Sequence, residues 1–248
     1  MTAVHCVDCP LRRLPLFLSN SAEEIALVQS LKQDETRFKA GALVIDEGQK
    51  VAPLYTLLAG WAFRFKTLSD GRRQILNFLL PGDFIGVQHK MADVAAHGVM
   101  ALTDVVFCTF KRTALWDLHR LSPTMGFNIT WLTASEESLV DEKQLSIGKR
   151  NAQERISALL VTLFSRAAAR QSVLAVDGTE FPLNQQEIAD SLGLSLVHTN
   201  KTLRKLERQG LHRIQDGRLF LYDKVALEKA ADIQGPSGYG RSQNRPLI

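Results

Sequence analysis

The stretch FPLNQQEIADSLGLSLVHTNKTLRKLERQGLHRIQDGRLFLYD, residues 181–223, decides how this chain is read. Asn184 and Glu187 have the spacing of a capping box, in which two side chains satisfy the free N–H groups of a helix start. A first helix is expected to open there and run to Leu192, with Ile188, Ala189 and Leu192 facing inward. Ala189 is small where a second helix crosses, and Gly193 permits a tight turn. Ser195 then caps a second helix that ends at Gly210, a residue type suited to the position just past a helix. Two short helices joined by a glycine turn make a helix-turn-helix. LHRI, the tip Asp216-Gly217 and RLFLYD follow as a two-stranded wing.

Charge favours a polyanionic partner over a plain packing unit. Between 195 and 218 stand Lys201, Arg204, Lys205, Arg208, Arg213 and Arg218, against Glu207 and Asp216. Such a set supplies the phosphate contacts that dominate affinity for double-stranded DNA. The first turns of a recognition helix meet base edges, which places Leu196, Val197, His198, Asn200 and Lys201 toward the groove, with the capping Ser195 also expected at the DNA. Asn pairs with adenine and Lys donates to guanine. Arg204, Lys205, Arg208 and, on the wing, Arg218 are expected to meet DNA too, with the deeper helix residues on phosphates. Thr199 and Thr202 stand at packing positions.

Upstream, Asn151 and Glu154 repeat the capping-box spacing, and Ile156, Leu159, Leu160, Leu163 and Phe164 form a core-facing stripe. A hinge near 147–151 separates that helix from an earlier one opened by Ser122 and Pro123. On this earlier helix Met125, Leu132 and Leu139 recur every seven residues, with Ile129 on the same stripe. That repeat suits a seam against a partner helix, hence a homodimer, although a helix packed on its own domain would also carry such a stripe. From Thr36 to Phe110 short apolar runs alternate with glycines at 41, 48, 60, 71, 82 and 86, and Asp70-Gly71 joins two β-rich runs. Strands and turns at that spacing imply a sandwich or barrel-like domain.

The 248 residues carry a net charge of +4, distributed as −1 over 1–148 and +5 over 149–248. No run approaches the roughly 18 apolar residues of a membrane span, and no basic-then-apolar leader opens the chain, so the expected location is cytoplasmic, with no membrane partner. Three cysteines make no secreted disulfide framework. No nucleophile–base pair or metal-ligand spacing suggests an enzyme; His89, Asp93 and His97 read as loop decoration.

The order of parts resembles the CRP/FNR superfamily of bacterial transcription regulators over residues 5–232. The residues that carry the resemblance are LYTLLAGWAFRFKTLSDGRRQILNFLLPGDFIG, QQEIADSLGLS and TLRKLERQGL. It implies an α+β fold: an N-terminal segment at 1–24, a jelly-roll-like β-roll of the cyclic-nucleotide-binding type at 25–121 and a long dimerisation helix at 122–148. A winged helix-turn-helix at 149–232 and a disordered tail at 233–248 complete it. It further implies a sequence-specific regulator that reads a two-fold symmetric site and, as an activator, touches RNA polymerase. A ligand- or redox-sensing module working through protein contacts, with the helix-turn-helix structural only, is the alternative.

Two branches of the family bear on the signal. The cyclic-nucleotide branch holds the phosphate with an Arg followed by Ser or Thr, whereas this chain has DVAAHGVMALTD, so cyclic AMP is not expected. The other branch holds an iron–sulfur cluster on three N-terminal cysteines and one from the β-roll. Cys6 and Cys9, in HCVDCP, match two of these, and Cys108, in DVVFCTF, matches the fourth, but Pro15 occupies the third position. A cluster completed by Asp8, His5 or an outside molecule, a Cys6–Cys9 thiol switch and a purely structural role all stay open at this point.

Overall fold

Between Lys32 and Phe110 the described residues form eight strands, most of them short apolar runs, with the charged KQDETRF as the first. In the computed structural model, which describes residues 3–50, 53–87, 94–171, 177–233 and 245–248, they make two four-stranded sheets. One has the order β1 (Lys32–Phe38), β8 (Val105–Phe110), β3 (Leu54–Ala59), β6 (Phe84–Ile85). The other runs β2 (Leu43–Ile45), β7 (Gly98–Ala101), β4 (Ala62–Thr67), β5 (Arg73–Leu79). Side chains alternate across a strand, and β8 uses both faces. Val105 and Phe107 join Tyr55, Leu57 and Val99 in one apolar cluster, where the Phe107 and Tyr55 rings meet edge to face at 5.4 Å. Cys108 and Phe110 belong to a second cluster.

That second cluster is closed by helices. Ser21 and Glu24 form a capping box that opens α1 (Ala22–Leu31), and α2 (Ala114–Leu121) leads into α3 (Pro123–Lys149). Val28 of α1, Leu115 and Leu118 of α2, and Met125, Ile129 and Leu132 of α3 pack with Leu54, Cys6 and Cys108. The seven-residue stripe on α3 therefore closes the protomer's own core, and three of its four residues are not free for a partner helix. Leu139 is half-buried. The opposite face of α3 carries Phe127, Ala134, Ser138 and Leu145, all exposed.

The chain divides into two compact units. The division falls between Glu137 and Ser138, inside α3, and residues 67–76 of the β4–β5 hairpin belong with the second unit. The expected hinge is nevertheless a real break between helices: Arg150 leaves helical geometry and Asn151 caps α4 (Ala152–Ala168) through Gln153 N and Glu154 N. Within the second unit Lys143 Nζ donates to the carbonyls of Ile75, at 2.5 Å, and Leu76, at 3.0 Å. Beyond α4 lie β9 (Thr179–Glu180), α5 (Gln185–Leu192), α6 (Leu196–Arg208), β10 (His212–Gln215), β11 (Arg218–Leu221) and α7 (Lys224–Ala230).

The expectation of a disordered tail over 233–248 fails at its end, while 234–244 lie outside the described residues. Arg245, Leu247 and Ile248 are buried in the first unit. They supply one cation and two apolar side chains to a surface that already has their complements. No helix among the described residues is long and apolar enough to cross a membrane.

Candidate nucleic-acid interface

Local hydrogen bonds fix both helices of the 184–208 motif. Asn184 Oδ1 accepts from Glu187 N at 2.9 Å, and Glu187 Oε2 accepts from Asn184 N at 2.6 Å. Gly193 ends α5 at φ 63° and ψ 36°, a left-handed conformation that a side chain would strain. Ser195 Oγ accepts from His198 N at 3.2 Å, so this hydroxyl serves first as the cap of α6. Ile188, Ala189 and Leu192 on α5 and Leu203 and Leu206 on α6 are buried. Thr199 and Thr202 are buried as well, and Thr202 Oγ1 donates to His198 O at 2.9 Å, which makes threonine serviceable in a core position.

The outward face of α6 is then defined by what the core does not take. Val197 is 78% exposed, and His198, Lys201, Arg204, Lys205 and Arg208 are exposed along the same side. Their spacing of three and four residues makes one basic stripe. Lys205 Nζ donates to Gln153 Oε1 at 2.8 Å, which orients it beside the start of α4.

Two assignments are corrected. Asn200 is half-buried, with its Oδ1 buried and unpartnered, so it lies at the flank of the stripe rather than on its crest. Arg218 is also half-buried: Nε donates to Asp177 O at 2.7 Å and Nη2 to Gly178 O at 2.8 Å. This guanidinium holds the wing to the turn before β9. Arg213 is the wing's exposed cation. Its signal in the sequence is strand alternation, because its neighbour His212 is buried. At the wing tip Asp216 (φ 51°) and Gly217 (φ 70°) are both left-handed, as a two-residue hairpin with the favoured twist requires. Burial pushes His212 below its ordinary value.

Near the N-terminus and on β8, Cys6, Cys9 and Cys108 are free thiols. Cys6 sits in a short 3-10 turn and shares its cluster with Cys108, while Cys9 is half-buried. Burial raises Cys6, and it pushes Cys108 up to about 11 against the opposing pull of Lys32. His5 and Asp8 are exposed. Among the described residues no three His, Cys, Asp or Glu side chains are arranged to hold a metal ion. Of the remaining candidates, His97 is buried, whereas His89 and Asp93 lie outside the described residues.

A β-roll, a long helix and a winged helix with a basic stripe define a sensor-type DNA-binding protein. A family model for the cyclic nucleotide-binding domain matches residues 35–121, and one for the Crp-like helix-turn-helix domain matches residues 154–230. The transcriptional activator protein FnrL of Cereibacter sphaeroides is 31% identical over 236 residues, covering 93% of this chain and 94% of that protein. The nitrogen fixation regulation protein FixK of Bradyrhizobium diazoefficiens is 30% identical, covering 91% and 93%. Among solved structures, FixK2 from Bradyrhizobium japonicum shares the fold, with a TM-score of 0.70 and 24% identity over 79% of this chain and 96% of that one. The chain belongs to the CRP/FNR family of transcription regulators. It is a DNA-binding regulator and not an enzyme, as are the relatives it matches.

Proposed function

We propose that this regulator works as a homodimer in the cytoplasm, binds a two-fold symmetric operator through α6, and acts on transcription by touching RNA polymerase. The observation that carries the reading is the basic stripe of Lys201, Arg204, Lys205 and Arg208 on the exposed side of a capped, buried-core helix. Val197, His198 and Lys201 lead into the groove, and Arg204 and Arg208 meet phosphates. The dimer contact is made by the Phe127–Leu145 face of α3, which is exposed and opposite the face spent on the core.

The signal is other than a cyclic nucleotide. Residues 93–104 carry no arginine, and Leu57, Val99 and Phe107 fill the roll with apolar side chains, where an unpaired phosphate would be costly. Three thiols also fall one short of a four-thiolate iron–sulfur cluster, because Pro15 stands at the third N-terminal position. Burial raises Cys6 and Cys108 and keeps both unreactive, so a redox signal read at a thiol would enter at half-buried Cys9.

Footprinting on genomic fragments, with the thiols reduced and oxidised, tests the proposal. A protected site with two equivalent halves, lost in Lys201→Ala, supports it. Absence of any specific protection in both states contradicts it.

A further inference from the structure

The last four described residues form a contact that the DNA-binding role does not use. Arg245 bridges in parallel to Phe17: its N–H donates to Leu16 O at 2.8 Å, and its carbonyl accepts from Leu18 N at 2.9 Å. Its guanidinium reaches Asp83 Oδ1 at 2.9 Å, with the two side chains 9% and 1% exposed. Asp83 is itself held in place, since its Oδ2 accepts from Leu80 N at 2.8 Å. Beside it, Gly82 keeps Phe17 close, because a Cβ there would meet the Phe17 ring at 2.2 Å. Leu247 packs with Leu11 and Phe17. Ile248 enters the cluster that holds Cys6 and Cys108, and Thr56 Oγ1 donates to its carbonyl at 2.6 Å.

These features are those of a peptide site. Strand-like pairing supplies affinity, and a buried carboxylate with two apolar pockets supplies specificity for Arg-x-Leu-Ile. Short segments of this kind open locally at far less cost than global unfolding.

We propose that residues 245–248 are a detachable latch, an intramolecular peptide ligand of the first unit seated at Asp83, Thr56 and Phe17. Seated, its Ile248 packs in the cluster that holds Cys6 and Cys108. Unseating it opens one side of that cluster, and by linkage whatever occupies the thiols from that side weakens its seat. The latch stands apart from the operator reading and does not depend on what the natural signal is.

The test is the rate of iodoacetamide alkylation at each cysteine, followed by mass spectrometry on the reduced full chain and on a chain ending at residue 244. Removal of the latch is expected to speed labelling of Cys6 and Cys108 by about tenfold or more, and that of half-buried Cys9 by less. A synthetic Arg-Pro-Leu-Ile peptide at millimolar concentration restores protection to the shortened chain but not to its Asp83→Asn form. Unchanged rates on removal of the latch, or a peptide without effect on a folded shortened chain, overturn the proposal. Should the shortened chain unfold, Ile248→Ala in the full chain decides: faster labelling of Cys6 and Cys108 at an unchanged melting temperature supports the latch, and unchanged labelling overturns it.

Discussion

Arg73 donates from both Nε and Nη2 to a single carboxylate oxygen of Asp190, at 3.0 and 2.8 Å. The pair joins the end of the β4–β5 hairpin to α5, the first helix of the DNA-binding motif. Gln74 Nε2 adds a bond to Ser191 O at 3.2 Å. Both charged side chains are mostly buried, at 26% and 14% exposure, so the pair is screened less than an open surface bridge. A double-mutant cycle on Arg73→Ala and Asp190→Ala is expected to give a coupling of about 1 kcal/mol in urea unfolding. Additive effects of the two substitutions would remove the pair from the account.

The two faces of α3 predict two different outcomes. Met125→Ala or Ile129→Ala empties a packed core and is expected to cost about 2–5 kcal/mol of stability. Phe127→Asp is expected to leave the melting temperature nearly unchanged while the protein elutes as a monomer in size-exclusion chromatography. The reverse pattern would restore the seven-residue stripe as the dimer seam.

Cations at different depths of the stripe have separable signatures. Arg204→Ala and Arg208→Ala are each expected to weaken binding to all duplexes alike, and to lower the slope of log affinity against log salt by about 1. Arg218→Ala is expected to leave that slope unchanged and to loosen the wing instead, because its guanidinium is occupied by the carbonyls of Asp177 and Gly178. Fluorescence anisotropy over a salt series measures both.

The pH dependence follows from His212. Burial lowers its folded-state value below the ordinary 6.5, so the unfolded chain binds the additional proton. The stability it confers is fully present above about 6.5 and is lost as pH falls below it. Melting of the second unit is therefore expected to drop between pH 7.5 and 5.5, and His212→Phe is expected to flatten the drop. An equal fall in the variant would point to another group.

Much of the DNA-binding half was legible because its signals are local. Asn184 with Glu187, Gly193, Ser195 and Asp216-Gly217 each dictate a cap or a turn within a few residues. The faces of α3 were not legible, because apolar residues occur on both sides of it. Only the surroundings show that Met125, Ile129 and Leu132 meet Cys108 and Leu115 while Phe127 is left outside. The buried tail escaped for the same reason. Arg245 reads as part of a solvated low-complexity end until Asp83, 162 residues away, is brought to it. The capture of Arg218 by backbone carbonyls likewise leaves no mark in the sequence.

The most direct test of the central claim is the affinity of the full-length protein for an operator selected from a random duplex pool, against a scrambled duplex, at fixed salt. The stripe on α6 predicts a preference of at least about 10³, a two-fold symmetric selected site with half-sites about one helical turn apart, and collapse of the preference in Lys201→Ala. Equal affinity for the two duplexes, or a preference that Lys201→Ala leaves intact, would contradict it.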